Sequence, residues 1–225
     1  DKCVKLSAPS FCYEYDYHVK DIKKGFRYIS KKFDIQLPYP SLKGEHQILN
    51  ASTAIATIIL LNDKFQITAS QIKQGLETTV WPGRLELLCL TKTKALVGDN
   101  IKIYLDGAHN NAAALSLANW AKSNLKDQIY LIAGMTKNRD ATSFCSHFKG
   151  IVEHGFAVGV DSEPSSYSAS VMATKANKSG VDFTIADSLS DALQKIVTLS
   201  GGKKSTIIVT GSLYLISDFM KLSAV

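Results

Sequence analysis

The sequence predicts an α/β protein whose larger part is a mainly parallel sheet covered by helices on both faces. Three observations carry this. Beyond residue 82, short apolar runs alternate with helical patterns, the order that builds parallel sheets. Among them the run Ile101 to Leu105 ends in Asp106, a small-residue turn and a helix start at Asn110 or Asn111. Before residue 82 the order is different, with short strands followed by helices, and Trp81-Pro82-Gly83 interrupts the chain.

The elements follow from local patterns in order. Phe11 to Tyr17 alternates with period two, Phe26 to Ile29 follows a glycine, and Phe33 to Leu37 runs into Pro38, so three short antiparallel strands are expected. Glu45 to about Leu61 is helical, with Ile48, Ala51, Ile55 and Ile58 towards the core. Thr68 to Glu77 is a second helix capped by Thr68 or Ser70. After a boundary near Trp81, strands are expected at Leu85 to Thr91 and Ile101 to Leu105, flanking a Gly98-Asp99-Asn100 turn. The helix after Asn111 places Leu115, Ala118, Ala121 and Leu125 on one face. Then come strand Gln128 to Ala133, helix Ala141 to Phe148, strand Ile151 to Val160 and helix Ser168 to Lys178. Strand Asp182 to Ile185, helix Ser188 to Leu199, strand Thr206 to Thr210 and a helix from Leu213 complete a Rossmann-like topology. The division expected is residues 1–81 and 82–225.

Bulk properties narrow the classes. With 225 residues, 45% hydrophobic content and mean hydropathy of +0.01, the chain is long enough for one large or two small domains. No apolar run approaches a membrane span, and residues 1–30 carry no signal-peptide core. Cys3, Cys12, Cys89 and Cys145 form no C-x-x-C pair, so reduced thiols in a cytoplasmic protein are expected, with no zinc or redox site. The net charge of +6 is spread over both parts. Lys20, Lys23, Lys24, Arg27, Lys31 and Lys32 read as a solvated surface, with no nucleic-acid partner expected. The opening residue, Asp1, is read as marking a processed product, a truncated expression product or a piece of a longer protein.

No G-x-G-x-x-G follows a strand. Gly201-Gly202-Lys203-Lys204-Ser205-Thr206 precedes a strand instead of following one, and is read as a surface loop. His46 and Asn50, four apart, share a helix face, and the Asn50 amide can both donate to and accept from a base edge, or be satisfied by backbone. Arg84 can stabilise phosphate charge or simply be solvated. Asp106 and His109 can serve a nucleotide, or act as a turn acid and a hydrogen-bonded histidine. The loop Gly134 to Asp140 and Gly211-Ser212 end two further strands, and three polar strand-ends point to one composite site.

In order and spacing, five segments resemble folylpolyglutamate synthase and the bifunctional dihydrofolate synthase of the Mur ligase superfamily. They are His46-Gln47 with Asn50, Pro82-Gly83-Arg84-Leu85-Glu86, Asp106-Gly107-Ala108-His109-Asn110, Gly134-Met135, and Val209-Thr210-Gly211-Ser212-Leu213-Tyr214-Leu215. Asn111 stands where that family often has Pro, and Asn138-Arg139 stand in a segment usually written Lys-Asp-Lys-Asp. The resemblance implies residues 1–81 as the C-terminal part of an α/β P-loop-type ATPase domain and 82–225 as the Rossmann-like C-terminal domain. It implies an ATP- and Mg2+-dependent ligase that phosphorylates a carboxylate of folate or dihydropteroate and passes the acyl group to L-glutamate. By the same resemblance Asn50 contacts adenine, Arg84 the phosphates and Asp106 the ribose or its surroundings, with His109 beside it and Ser212 on the glutamate side. The family's phosphate loop and metal ligands lie upstream of the segment resembling Phe11. The chain is therefore expected to be inactive without an N-terminal half, which another chain could supply. A non-catalytic remnant or binding module, and a Mur ligase of cell-wall synthesis, stand as the alternatives.

Overall fold

The structure, a computed structural model, describes residues 2–223. They form two compact units, up to Val80 and from Trp81.

The first unit contains α1 (Lys2–Lys5), β1 (Tyr17–Ile22), β2 (Gly25–Ser30), β3 (Asp34–Leu37), α2 (His46–Leu60), α3 (Asn62–Phe65) and α4 (Ala69–Thr78). The strands form an antiparallel meander in which Tyr28 pairs with Val19 on one side and Ile35 on the other. Alternation sends Tyr17, Phe26, Tyr28 and Leu37 to one face, where they bury against Ala51, Ile55 and Ala56 of α2. Thr68 and Gln71 form a reciprocal capping box at the start of α4.

The strand expected from Phe11 to Tyr17 is a loop up to Asp16. Asp16 accepts the Cys12 N–H at 2.7 Å and returns its own N–H to the Cys12 carbonyl, closing a turn through Glu14 at φ 69°. The aromatic alternation serves packing instead: the Phe11 and Tyr13 rings both lie against Tyr17, at 5.4 and 5.7 Å.

The Tyr28 hydroxyl is fully buried with no hydrogen-bond partner among the described residues, and burial pushes its phenol up to about 12. An unsatisfied buried hydroxyl costs about 1 kcal/mol or more. Y28F is therefore expected to raise the first unit's stability by about 1 kcal/mol in urea unfolding, with Y28A strongly destabilising as the contrast.

The second unit contains β4 (Glu86–Leu87), α5 (Leu90–Val97), β5 (Ile101–Asp106), α6 (Asn111–Asn124), β6 (Gln128–Ala133) and α7 (Ala141–Ser146). It continues with β7 (His154–Ala157), α8 (Ala169–Asn177), β8 (Phe183–Ile185), α9 (Leu189–Ser200), β9 (Ser205–Thr210) and α10 (Leu213–Leu222). Its six strands lie in the order β4-β5-β9-β6-β7-β8, all neighbours parallel except β4 with β5. Every residue of the central β9 is buried, as a strand covered on both faces requires. One core packs α6, α7 and α8 on one face of the sheet, and another packs α5, α9 and α10 on the other. The fold is thus α/β and Rossmann-like.

Three expectations are corrected. Strand Leu85 to Thr91 shrinks to Glu86–Leu87: after Leu88, whose N–H still reaches the Ile103 carbonyl, the chain leaves the sheet and α5 begins at Leu90. Strand Ile151 to Val160 shortens to His154–Ala157, the stretch that pairs with β6. The buried stripe of α6 is Ala114, Leu117, Ala118 and Ala121, and Leu115 is exposed. The helix is rotated so that its alanines approach the sheet while Trp120 packs edge-on against Tyr104 at 4.9 Å. Cys145 is buried in α7, and that burial pushes its thiol up to about 12. The other three cysteines are exposed and free.

Candidate functional site

Because β9 inserts between β5 and β6, three strands end side by side: Asp106 and Ala133 both pair with Thr210. The chain passes from β5 to β6 on the α6 side of the sheet and returns to β9 through α9 on the other, so a crevice opens at their carboxyl ends. Two helices begin at this edge. Asn110 caps α6 by accepting the Ala113 N–H at 3.0 Å, and Ser212 caps α10 by accepting the Tyr214 N–H at 3.1 Å. Their amino-terminal dipole ends make the edge favourable for phosphate or carboxylate.

Asp106 is the organiser of the edge. It is 8% exposed, and its carboxylate accepts the Leu85 N–H at 2.9 Å through one oxygen and the Ala108 N–H at 2.8 Å through the other. The same loop is held from both ends: Gly107 N–H donates to the Gly83 carbonyl, and Gly83 N–H donates to Glu86 Oε2, each at 2.8 Å. Leu85 adopts φ 47°, costly for a branched side chain, and these bonds hold it there. Arg84 sits between the fastened residues, half-buried. Its guanidinium has no ion pair or hydrogen bond to any described residue.

His109 is half-buried and bonded through Nδ1 to the Gly107 carbonyl at 2.9 Å. A carbonyl can only accept, so Nδ1 carries the proton and Nε2 is the acceptor of the neutral ring. Gly211, at φ 111°, donates its N–H to the Ala108 carbonyl, and Thr210 Oγ1 reaches the same carbonyl at 3.4 Å. Ser212 is 3% exposed and spends its hydroxyl on the α10 cap.

Along the same edge, the loop Gly134 to Asp140 is tied down by the Tyr167 hydroxyl, which donates to the Lys137 and Arg139 carbonyls at 3.0 Å. Beside it lies an open cavity of about 660 Å3 lined by Lys137, Asp161, Glu163, Ser166 and Ser168 among others. Hydrogen bonds from Ser165 hold the Glu163 carboxyl below its ordinary range, so the cavity wall is anionic at neutral pH.

In the first unit, Asn50 stands exposed near the start of α2, and its Nδ2 donates to Gln47 Oε1 at 3.0 Å. Gln47 in turn lies 3.0 Å from His46 Nε2 through its own amide nitrogen. The expected face-sharing of His46 and Asn50 is thus bridged by Gln47, which is 6% exposed. Gln47 and Glu86 carry the geometry of Asn50 and the Arg84 loop, yet sequence reasoning quoted both only as motif neighbours. The signal that could have found Gln47 was its place one helical turn before Asn50.

Asp106, His109, Ser212 and the Arg84 loop belong to the second unit and Asn50 to the first. Among the described residues no group of three or more His, Cys, Asp or Glu converges to hold a metal. Among the described residues no helix is long and apolar enough to cross a membrane.

Fold and edge together define an α/β domain of the Rossmann-like class with an anion-favouring crevice at its strand ends. The chain belongs to the dihydrofolate synthetase family: the family model described as "Dihydrofolate synthetase, C-terminal domain" matches residues 89–222. The "Probable dihydrofolate synthetase" of Schizosaccharomyces pombe is 30% identical over 195 residues, covering 80% of this chain and 43% of the relative. The dihydrofolate synthase/folylpolyglutamate synthase of Bacillus subtilis is also 30% identical over 195 residues, with 80% and 40% covered. The chain thus spans under half the length of these relatives. Among solved structures, E. coli FolC in complex with DHPP and ADP matches with a TM-score of 0.78 at 18% identity, over 98% of this chain and 49% of that one. Mycobacterium tuberculosis folylpolyglutamate synthase complexed with ADP and AMPPCP gives 0.75 at 20%, over 100% and 51%. At these identities the structural likeness is one of fold.

Proposed function

We propose that this chain is the C-terminal portion of an ATP-dependent ligase that joins L-glutamate to a folate or to dihydropteroate. Residues 1–81 are the end of its ATPase domain and residues 82–225 its C-terminal domain. In the reaction a substrate carboxylate takes the terminal phosphoryl group of ATP, giving an acyl phosphate and ADP. The glutamate amino group then attacks the acyl carbon, and phosphate leaves as the amide forms.

The observation that carries this reading is Arg84, a guanidinium with no ion pair or hydrogen bond among the described residues, on a loop that the buried Asp106 carboxylate holds in a strained backbone. Such a cation, fixed before the ligand arrives, neutralises charge as a phosphoryl group moves. Asn50 reads adenine: with one N–H held by Gln47, its other N–H and its oxygen can pair with a base edge that both accepts and donates. His109 Nε2 accepts a ribose hydroxyl, and Asp106 acts by shaping the surroundings. Ser212 acts on the glutamate side by fixing the start of α10. By this reading the phosphate cradle and the metal ligands are supplied by an N-terminal half, and the chain by itself turns over no ATP.

The test is co-production with the part of the B. subtilis relative that precedes the matched region, followed by assay of ADP release and of glutamate addition to folate and to dihydropteroate. Nucleotide-dependent addition is expected, reduced about 100-fold or more by R84A. A stable complex of the two chains that adds no glutamate to either acceptor would sink the proposal.

A further inference from the structure

Among the described helices of eight or more residues, α2 is the longest, at 15 residues, and the only one without a Lys, Arg, Asp or Glu. In a chain that is 20% charged, a helix with one side in water is expected to carry charge on that side. The inner side of α2 packs Ala51, Ile55 and Ala56 on the sheet. Opposite them runs a stripe at helical spacing, Leu49, Thr53, Thr57 and Leu60, all exposed, the two leucines by 45% and 59%. Both threonine hydroxyls are already satisfied within the helix: Thr53 Oγ1 donates to the Leu49 carbonyl at 3.0 Å and Thr57 Oγ1 to the Thr53 carbonyl at 2.9 Å. Covering the stripe therefore strands no hydroxyl. Next to it, an apolar cavity of about 390 Å3 opens between α2 and α4, lined by Ala54, Ile58, Ile67, Ile72 and Leu76 among others.

We infer that this uncharged face of α2 is the docking surface for the N-terminal half of the ligase, an inference that rests on the ligase reading above. Three observations select that occupant. Asn50 is exposed beside Leu49 on the same side of the helix. With adenine at Asn50, the phosphates lie within one nucleotide's length, and the half that cradles them must come up against the side of α2 that bears Asn50. Next, the matched region accounts for 43% and 40% of the two relatives described above, so in each of them more than half of the length remains to supply a cover. The third is area. A helix of 15 residues is about 22 Å long and about 10 Å wide, so one side presents about 200 Å2, against about 800 Å2 per partner in a stand-alone interface. A second copy docking by this face alone buries too little. The remainder of a shared domain instead meets the first unit over several elements, the cavity between α2 and α4 included. A bilayer is a poor match, because interfacial helices carry Lys or Arg for the headgroups and α2 has neither.

The test mixes the full chain with the part of the B. subtilis relative that precedes the matched region and follows complex formation by sedimentation velocity, with no catalysis measured. A complex of one copy of each is expected, weakened about tenfold or more by L49E/L60E and by T57K, since each places an unpaired charge in the contact. Both variants alter solvent-facing positions, so the circular dichroism and Tm of the chain alone are expected to match the parent. K203Q/K204Q, in the second unit, is expected to bind as the parent does. The inference is overturned if no complex forms, or if L49E/L60E and T57K bind as tightly as the parent. It is also overturned if the chain alone forms a dimer that L49E/L60E dissociates, which makes a second copy the occupant, or if it binds phosphatidylserine vesicles through the same leucines. A complex that adds glutamate yet ignores these substitutions sinks the docking surface and leaves the ligase reading. A complex that they break, but that adds no glutamate, does the reverse.

Discussion

Replacing Asp106 by alanine is expected to lower the stability of the second unit by about 3–5 kcal/mol, the largest loss from any polar side chain at the strand-end crevice. Two buried backbone N–H groups, of Leu85 and Ala108, would lose a charged acceptor at once, each such bond contributing about 1.5–3 kcal/mol. The strained Leu85 backbone would also be released, since among the described residues its N–H bonds to Asp106 alone. Chemical denaturation monitored through Trp120, which packs on β5, reads the loss directly. D106N keeps one acceptor atom and is expected to lose about half as much. An equal loss in both variants would show that the two hydrogen bonds do not carry the effect. In the reconstituted ligase, the same variant is expected to resemble R84A, because Asp106 fixes the loop that presents Arg84.

Gly211→Ala is the second large effect, about 2–4 kcal/mol, and its cause is steric. Gly211 leaves β9 at φ 111°, and a Cβ there would stand 2.7 Å from the Gly134 carbonyl oxygen and 2.9 Å from the Met135 side chain. The oxygen belongs to the backbone leaving β6 and cannot swing aside. Relief therefore requires the ends of β9 and β6 to part, with loss of the Gly211 bond to the Ala108 carbonyl. Gly202 provides the control. It also has positive φ, 78°, but a Cβ there meets nothing within 4 Å, so G202A is expected to cost only about 1 kcal/mol from backbone strain. Thermal melts of the two variants side by side separate clash from strain. Similar shifts for both would remove the steric argument.

The crevice was legible in the sequence for a definite reason. An apolar strand ending in Asp106, a turn of small residues and an Asn cap are local features, and local chemistry dictates them. The caps Thr68 and Asn110 were legible in the same way, each one of two candidates just before a helical pattern, whereas Ser168 and Ser188, read as the first residues of their helices, serve as their caps. What local pattern could not supply was pairing. Leu85 to Thr91 has the composition of a strand, but only Glu86 and Leu87 pair with β5 before the chain turns into α5 at Leu90. Phe11 to Tyr17 alternates like a strand, but the Asp16 carboxylate turned it into a loop that packs on Tyr17.

The charged hairpin of β1 and β2 shows the same division. Counted along the chain, its six cations fell in the first of two parts of similar net charge and read as an ordinary surface. Register joined Lys20 to Arg27 across strands and set Lys23 and Lys24 at one end of β2, Lys31 and Lys32 at the other.

The amino-acid order alone determined the α/β class, most element positions, the helix caps, and the motif set by which the chain resembles a glutamate ligase, because these depend on neighbours within a few residues. Tertiary structure alone decided that β9 inserts between β5 and β6, so that residues 106, 133 and 210 end together. It also decided that both Asp106 oxygens are engaged by backbone and that Gln47 bridges His46 and Asn50. The sheet order and the Asp106–Leu85 bond join residues far apart in the chain, and in all of these only the folded geometry sets which donor reaches which acceptor.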